Sequence, residues 1–290
     1  MSHNSRMAVA RSPRRRTLSR LRNHRSARFG AAILLFYVAA AVLLPAISPY
    51  SPTRTNLEEA FAAPSLAHPL GSDELGRDEM LRLALGARWT LTMGFGAVAI
   101  GLLLGVPLGA VSGFFGGSID LVIQRFTDLI LAFPAIVLAL GLVAVLGVGV
   151  QNVVLAVGIT STPAFVRLMR ASALSIRERA YVEAARSIGT STPRILLWHV
   201  VPNSLAPIIV QATVQLGTAI LLAAGLGFLG LGVQPPTAEW GSMLGLGRTY
   251  IFSDQKLVTI PGVAIFGAVL AFNLIGDGLR DALDPRTVDR

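Results

Sequence analysis

Six stretches of this chain are apolar, almost uncharged and about as long as a bilayer core is thick. That pattern limits the fold more than any other feature. Roughly 20 apolar residues suffice for a helix to cross a membrane, and the stretches lie near 29–48, 89–112, 126–147, 150–171, 204–231 and 257–277. Pro107, Pro134, Pro163, Pro207 and Pro261 fall inside them. In a soluble helix each proline would argue against the assignment, whereas in a membrane bundle neighbouring helices re-satisfy the freed backbone groups. Small residues such as Gly94, Gly96, Gly101, Gly105 and Gly109 supply faces where helices approach closely. The expectation is an all-α membrane protein with six transmembrane helices.

Composition agrees: 53% of residues are hydrophobic, 14% are charged, and the mean hydropathy is +0.62. The absence of cysteine excludes disulfides and thiolate metal sites. A net charge of +9 would suit nucleic acid, but the positions of the charges argue for a membrane instead. Nine arginines (Arg6, Arg11, Arg14, Arg15, Arg16, Arg20, Arg22, Arg25 and Arg28) precede the first apolar stretch. Six more, Arg167, Arg170, Arg177, Arg179, Arg186 and Arg194, cluster at the end of the fourth and beyond it. The segments 49–88 and 232–256 are poorer in cations, and the first is net acidic through Glu58, Glu59, Asp73, Glu74, Asp78 and Glu79. The positive-inside rule then puts both termini and the loop after span four in the cytoplasm.

The expected organisation is a basic cytoplasmic tail over 1–28, a first span over 29–48 and an external loop over 49–88. A core of five spans follows over 89–280, carrying a cytoplasmic loop at 173–202, and a tail occupies 281–290. Arg15–Arg16–Thr17–Leu18 has some likeness to a twin-arginine signal. The apolar run after it is long for a signal sequence, so the first span is read as retained. The arginine run itself anchors topology and meets anionic lipid.

What is missing narrows the chemistry. A Walker A loop needs a lysine before Ser or Thr, and the one lysine, Lys256, lies between Gln255 and Leu257. No H-E-x-x-H occurs, and His3, His24, His68 and His199 are scattered, so no metal site is expected. Ion-coupled carriers ordinarily place ionisable groups within the membrane, yet 129–166, 200–238 and 257–276 contain no Asp, Glu, Lys or Arg. That disfavours a secondary transporter, the chief alternative from another class. A membrane-embedded enzyme is disfavoured too, since Ser161 and Ser204 have no His or Asp within their spans to activate them.

Segment 181–202, YVEAARSIGTSTPRILLWHVVP, interrupts the apolar pattern with a short amphipathic helix and a turn. Tyr181, Ala184, Ala185 and Ile188 share one face at i, i+3, i+4 and i+7. Two alanines at its centre would let that face slide into a groove on another protein. Gly189 suits a left-handed exit, and Thr192 would cap a second helix starting at Pro193. By periodicity alone the helix could equally be an interfacial connector.

The run Glu183–Ala184–Ala185–x–x–x–Gly189, continuing to His199 and Pro202, resembles the loop by which permease subunits of ABC importers grip their ATPases. Two other segments strengthen the likeness. Residues 68–78, HPLGSDELGRD, resemble the signature before the second span in the dipeptide, oligopeptide and nickel permease family. Residues 226–245, LGFLGLGVQPPTAEWGSMLG, resemble that family's signature at the end of span five. The likeness covers about residues 18–286 and points to the second, C-type permease of the pair.

The resemblance implies the type I permease fold of ABC importers, di- or oligopeptide import with nickel as the alternative cargo, and no catalysis by this chain. It also implies a second homologous permease, two ATP-binding subunits that hold ATP and magnesium, an external substrate-binding protein and membrane lipid as partners, with no nucleic acid. The ATPase-docking residues would be Tyr181, Glu183, Ala184, Ala185, Ile188 and Gly189. Asn152, Gln211, Gln215 and Trp240 are weaker candidates for the translocation wall, since polar residues in spans more often tie helices together. His199 reads as a packing residue, and the acids of 68–78 are equally readable as a solvated loop.

Overall fold

The computed structural model describes residues 24–283. Among them every regular element is helical, apart from an isolated bridge between Ser72 and Asp78. In chain order the helices are α1 (Arg25–Ile47), α2 (Glu79–Phe115), α3 (Gly117–Leu131), α4 (Ala135–Leu146), α5 (Val150–Arg177), α6 (Ala180–Ser187), α7 (Thr192–Ile195), α8 (Leu205–Phe228), α9 (Trp240–Gly247) and α10 (Lys256–Leu283). A π turn over Leu196–Val200 and a single turn over Val201–Asn203 join α7 to α8. The basic tail before His24 and the last residues, Arg286 and Arg290 included, lie outside the described residues.

Five helices, α1, α2, α5, α8 and α10, are long and apolar enough to cross a membrane. The third apolar stretch departs from expectation. It is split between α3 and α4, which meet at a 91° bend and count as a sixth span only if taken together. Pro134, the N-cap of α4, explains the break. It has no N–H to continue a helix and pushes the residue before it out of helical geometry. Pro107, Pro163 and Pro261 are instead absorbed inside continuous helices. In α1, Pro45 leaves the Ala41 carbonyl without its helical donor, and the Nε of Arg88 supplies one at 2.8 Å.

Helix α2 begins at Glu79 rather than near 89, because the Asp78 carboxylate accepts the Leu81 N–H at 2.7 Å and caps it. At the other end of the bundle α5 runs on to Arg177. The α2–α5 pair is the most extensive helix packing in the molecule, and its seam is made of glycines one turn apart. A Cβ on Gly105 would sit 2.8 Å from the Thr162 carbonyl oxygen, and one on Gly109 or Gly113 would run into those of Val166 and Arg170. Of the glycines expected to form one close face, Gly94 instead meets Ile220 of α8 and Gly96 meets Val154 of α5. Helix α10 packs between α1 and α8.

The apolar interior falls into two clusters. The larger joins α2, α4, α5, α8, α9 and α10 around Met93, Val157, Phe165, Ile220 and Trp240. The smaller gathers Ala110, Phe114, Met169, Ala173, Val182 and Ile195 beneath the E-A-A segment. Much of the outer surface is apolar, as at Leu35, Phe36, Val42 and Leu43 of α1. Lipid tails are as apolar as leucine, so such a face carries no exposure cost in a bilayer.

Candidate functional site

At the E-A-A end, α5 stops at Arg177 and the chain re-enters a helix within three residues. Val182 and Ala185, at i and i+3, face inward and are buried in the smaller core cluster. Tyr181, Glu183, Ala184 and Ile188 face outward, Ile188 at 83% exposure. The expected face is therefore corrected at one position. Ala185 is a packing residue, and one outward alanine, Ala184, lies between Tyr181 and Ile188. Glu183 makes no ion pair with a described residue. The Arg186 guanidinium lies 5.0 Å from the centre of the Phe114 ring, tying α6 to the end of α2.

Gly189 performs the expected exit, with φ at +81°. Its N–H donates to the Arg186 carbonyl at 2.9 Å, and the N–H of Thr190 donates to Ala185 at 3.0 Å. This is the paired closure of a Schellman motif, and it fixes the direction in which the chain leaves α6. The next helix starts one residue earlier than its sequence suggests. Ser191 is the N-cap, Thr192 opens α7, Pro193 follows, and no side chain makes a cap bond. The π turn precedes Pro202, which offers no N–H to the Trp198 carbonyl, and Val201 bonds instead to Leu196. Its residues Leu197 and Trp198 are exposed, and the His199 ring packs 6.1 Å from that of Tyr181.

The four candidates for the translocation wall separate into two pairs. Asn152 donates to the carbonyls of Leu146 and Gly147, both at 2.9 Å, and so closes the end of α4. Trp240 is fully buried, and its indole N–H donates to the Leu83 carbonyl at 2.8 Å. Both are ties between helices, and the one at Trp240 lies in the core. Its aromatic character hid the burial, because tryptophan suits core and membrane interface alike. Gln211 and Gln215, one turn apart on α8, are half-buried. Neither side chain bonds to another described residue, in contrast to Thr160, Ser161, Thr162 and Thr213, which bond back to their own helix.

The opposite end holds what sequence reasoning missed. Segment 68–78 is not a solvated loop. His68, Asp73, Arg77 and Asp78 are all buried. Asp73 accepts from the N–H of Leu75 and of Arg77 and from the Arg77 Nε at 2.7 Å, and it pairs with Arg82 at 3.2 Å. His68 Nδ1 lies 2.9 Å from Asp78. Glu239 is fully buried as the N-cap of α9, accepting from the N–H groups of Gly241 and Ser242 at 2.8 Å and from the Thr90 hydroxyl at 3.0 Å. Burial pushes its carboxyl above the ordinary range, against the pull of those three donors. The readable signal was spacing: Asp78 stands just before a helical apolar period, and Glu239 stands just before Trp240–Gly241–Ser242.

The bundle with its inserted E-A-A turn has the fold of ABC importer permeases. One chain of the MetNI methionine ABC transporter, in inward-facing conformations, superposes with a TM-score of 0.59 at 20% identity, over 71% of this chain and 98% of that one. A chain of an amino acid ABC transporter with histidines gives 0.54 at 20% identity, over 70% and 94%. Residues 105–289 match the model of the binding-protein-dependent transport system inner membrane component, and residues 12–64 match the N-terminal TM domain of oligopeptide transport permease C. The chain belongs to this family of inner-membrane permeases and is a multi-pass protein of the bacterial cytoplasmic membrane.

Individual relatives are similar almost end to end. The dipeptide transport system permease protein DppC of Alkalihalophilus pseudofirmus is 45% identical over 95% of this chain and 90% of its own length. The di/tripeptide transport system permease protein DppC of Pseudomonas aeruginosa is 46% identical over 89% and 87%. The glutathione transport system permease protein GsiD of Pectobacterium atrosepticum is 42% identical over 92% and 88%.

Proposed function

We propose that this permease carries di- or oligopeptides inward as half of a translocation channel driven by ATP hydrolysis on separate subunits. The outward face of α6 carries the reading. It presents Tyr181, Ala184 and Ile188 with a Glu183 that is unpaired among the described residues, on a helix whose exit is fixed by Gly189. A small residue between two larger apolar ones forms a shallow, ready-made contact for an ATPase cleft, with Glu183 reaching a basic group there. Closure of the ATPases would move α6 and the attached ends of α2 and α5 as one body, switching access between the two sides.

In this reading both termini and α6 face the cytoplasm, as the arginine distribution requires. A second, homologous permease completes the channel, two ATPase subunits bind ATP and magnesium, and an external binding protein delivers substrate. This chain holds no cofactor and performs no chemistry. Gln211 and Gln215, unpartnered among the described residues, line the route, while Asn152 and Trp240 do not. The names of the relatives support peptides over nickel.

The test is reconstitution in liposomes. Uptake of a labelled dipeptide should require both permeases, the binding protein, the ATPases and ATP, and should survive collapse of a proton gradient. Uptake by this chain with a proton gradient and no ATPase would replace the importer reading with an ion-coupled carrier.

A further inference from the structure

Helix α3 is attached to the bundle in an unusual way. Thr127 is its one buried residue, and its apolar residues Leu121, Val122, Phe126 and Leu129 are exposed. What holds it is a polar stripe at about four-residue spacing. Asp120 takes a two-pronged grip from Arg170 of α5, Nε to Oδ1 and Nη2 to Oδ2, both at 2.6 Å. The hydroxyl of Ser112 on α2 also donates to Asp120, and Gln124 donates to that hydroxyl at 3.0 Å. Two turns along, Asp128 pairs with Arg167 of α5 at 2.9 Å.

Both ends of α3 are joints. Gly116, between it and α2, and Gly117, its first residue, are consecutive glycines with φ of +68° and +57°. The Pro134 break and its 91° bend separate it from α4. A short rod between two joints, fastened by ion pairs instead of apolar packing, goes where its fasteners go. The two ion-pair fasteners sit on the last three turns of α5, which leads into α6, while Ser112 adds a tie to α2. Arg177, at the end of α5, adds a bond to the Gly113 carbonyl at 3.1 Å, just before the glycine joint.

We propose that Arg170, assisted by Arg167, is the positioning residue that makes α3 follow α5 during transport, so that movement at α6 is carried across the glycine joint into α3 and α4. Both pairs are partly exposed, with side-chain exposures of 33% and 19% for Arg170 and Asp120 and 57% and 51% for Arg167 and Asp128. The more exposed Arg167–Asp128 pair contributes little to stability, while the bidentate guanidinium–carboxylate geometry of Arg170 and Asp120 specifies orientation. The inference rests on the proposed docking of an ATPase at α6.

The experiment uses the complete reconstituted transporter and reads dipeptide moved per ATP hydrolysed, normalised to assembled complex. Asp120→Asn and Arg170→Gln should each lower that ratio by about two- to thirty-fold, the range in which residues along a coupled network act, while the ATPases stay bound and active. The exchanged pair, Asp120→Arg with Arg170→Asp, should recover part of the loss. A merely structural role would reduce the amount of complex and leave the ratio alone. An unchanged ratio in the single variants, or an exchanged pair no better than either, would overturn the proposal. Ala184→Trp, run in parallel, reads the docking itself through ATPase retention, so failure there is told apart from failure of the α3 latch.

Discussion

The two ends of the bundle handle charge in opposite ways. At the end formed by segment 68–82 and Glu239, the ionisable groups are inside: Asp73, Arg77, Asp78, Arg82 and Glu239 are buried and bonded to one another, to backbone or to Thr90. At the E-A-A end the charged side chains Arg179, Glu183, Arg186 and Arg194 are exposed, and the buried positions of α6, Val182 and Ala185, are apolar. A cap whose charges are satisfied internally is committed to one arrangement, because separating any pair strands a buried ion. An end that keeps its charges and its apolar Tyr181 and Ile188 outward leaves that face exposed, as the proposed docking of an ATPase requires. The difference separates a fixed lid from a contact surface.

The largest effect should come from breaking the cap. Asp73→Ala removes the carboxylate that Arg77 and Arg82 share, leaving Arg77 with Glu74 and Arg82 with the Pro52 and Pro236 carbonyls, and breaking a buried ion pair costs about 3–5 kcal/mol. The variant should unfold well below wild type in detergent or fail to accumulate in membranes, which a thermal melt and an expression blot would read. A melt like wild type would mean that the cap charges are not structural.

The contrast sharpens within one helix. Ala185→Trp overfills the core beneath α6 and should cost about 1–3 kcal/mol. Ala184→Trp, one residue away and outward, should change stability by no more than about 0.5 kcal/mol, yet prevent co-purification of the ATPase subunits. Equal melts for the two would contradict the inward and outward assignment.

These two alanines also mark how far the sequence reaches. Helical periodicity put Tyr181, Ala184, Ala185 and Ile188 on one face, and the wheel angle alone could not say on which side of Ala185 the core lies. That depends on Phe114, Met169 and Ile195, which are distant in sequence. The number of apolar stretches, the joint at Gly189 and the family signatures were legible because each is written in consecutive residues. The buried state of Asp73, Trp240 and Glu239 was not. Their partners Arg82, Leu83 and Thr90 lie on α2, and a charged or amphipathic residue reads as exposed until such a partner is located. The sequence pattern groups Pro134 with the prolines inside spans, and only packing distinguishes a proline a helix absorbs from one that ends it.

A smaller effect concerns pH at the cap. Because burial raises the Glu239 carboxyl, the folded protein holds that proton more tightly than the unfolded chain. Its contribution is then fully present below the ordinary glutamate range, about 4.3, and is lost as pH rises through the raised folded value. The melting midpoint should fall over that interval, and Glu239→Gln should flatten the fall. A slope unchanged in the variant would assign the titration to another group. Smallest of all, Glu183→Ala at the exposed end should move the melt by less than about 0.5 kcal/mol, while reducing ATPase retention. A large loss of stability would show that Glu183 belongs to the fold.

The account turns on the outward face of α6 being the surface that the ATPase covers. The chain has no cysteine, so single cysteines at Ala184 and Ala185 can be labelled with a maleimide in inside-out vesicles, with and without co-expressed ATPase subunits. Ala184→Cys should label readily without the ATPases and be protected when they are present, and Ala185→Cys should stay poorly labelled in both. Equal labelling of Ala184→Cys with and without the ATPases, in vesicles shown to contain the assembled complex, would contradict it.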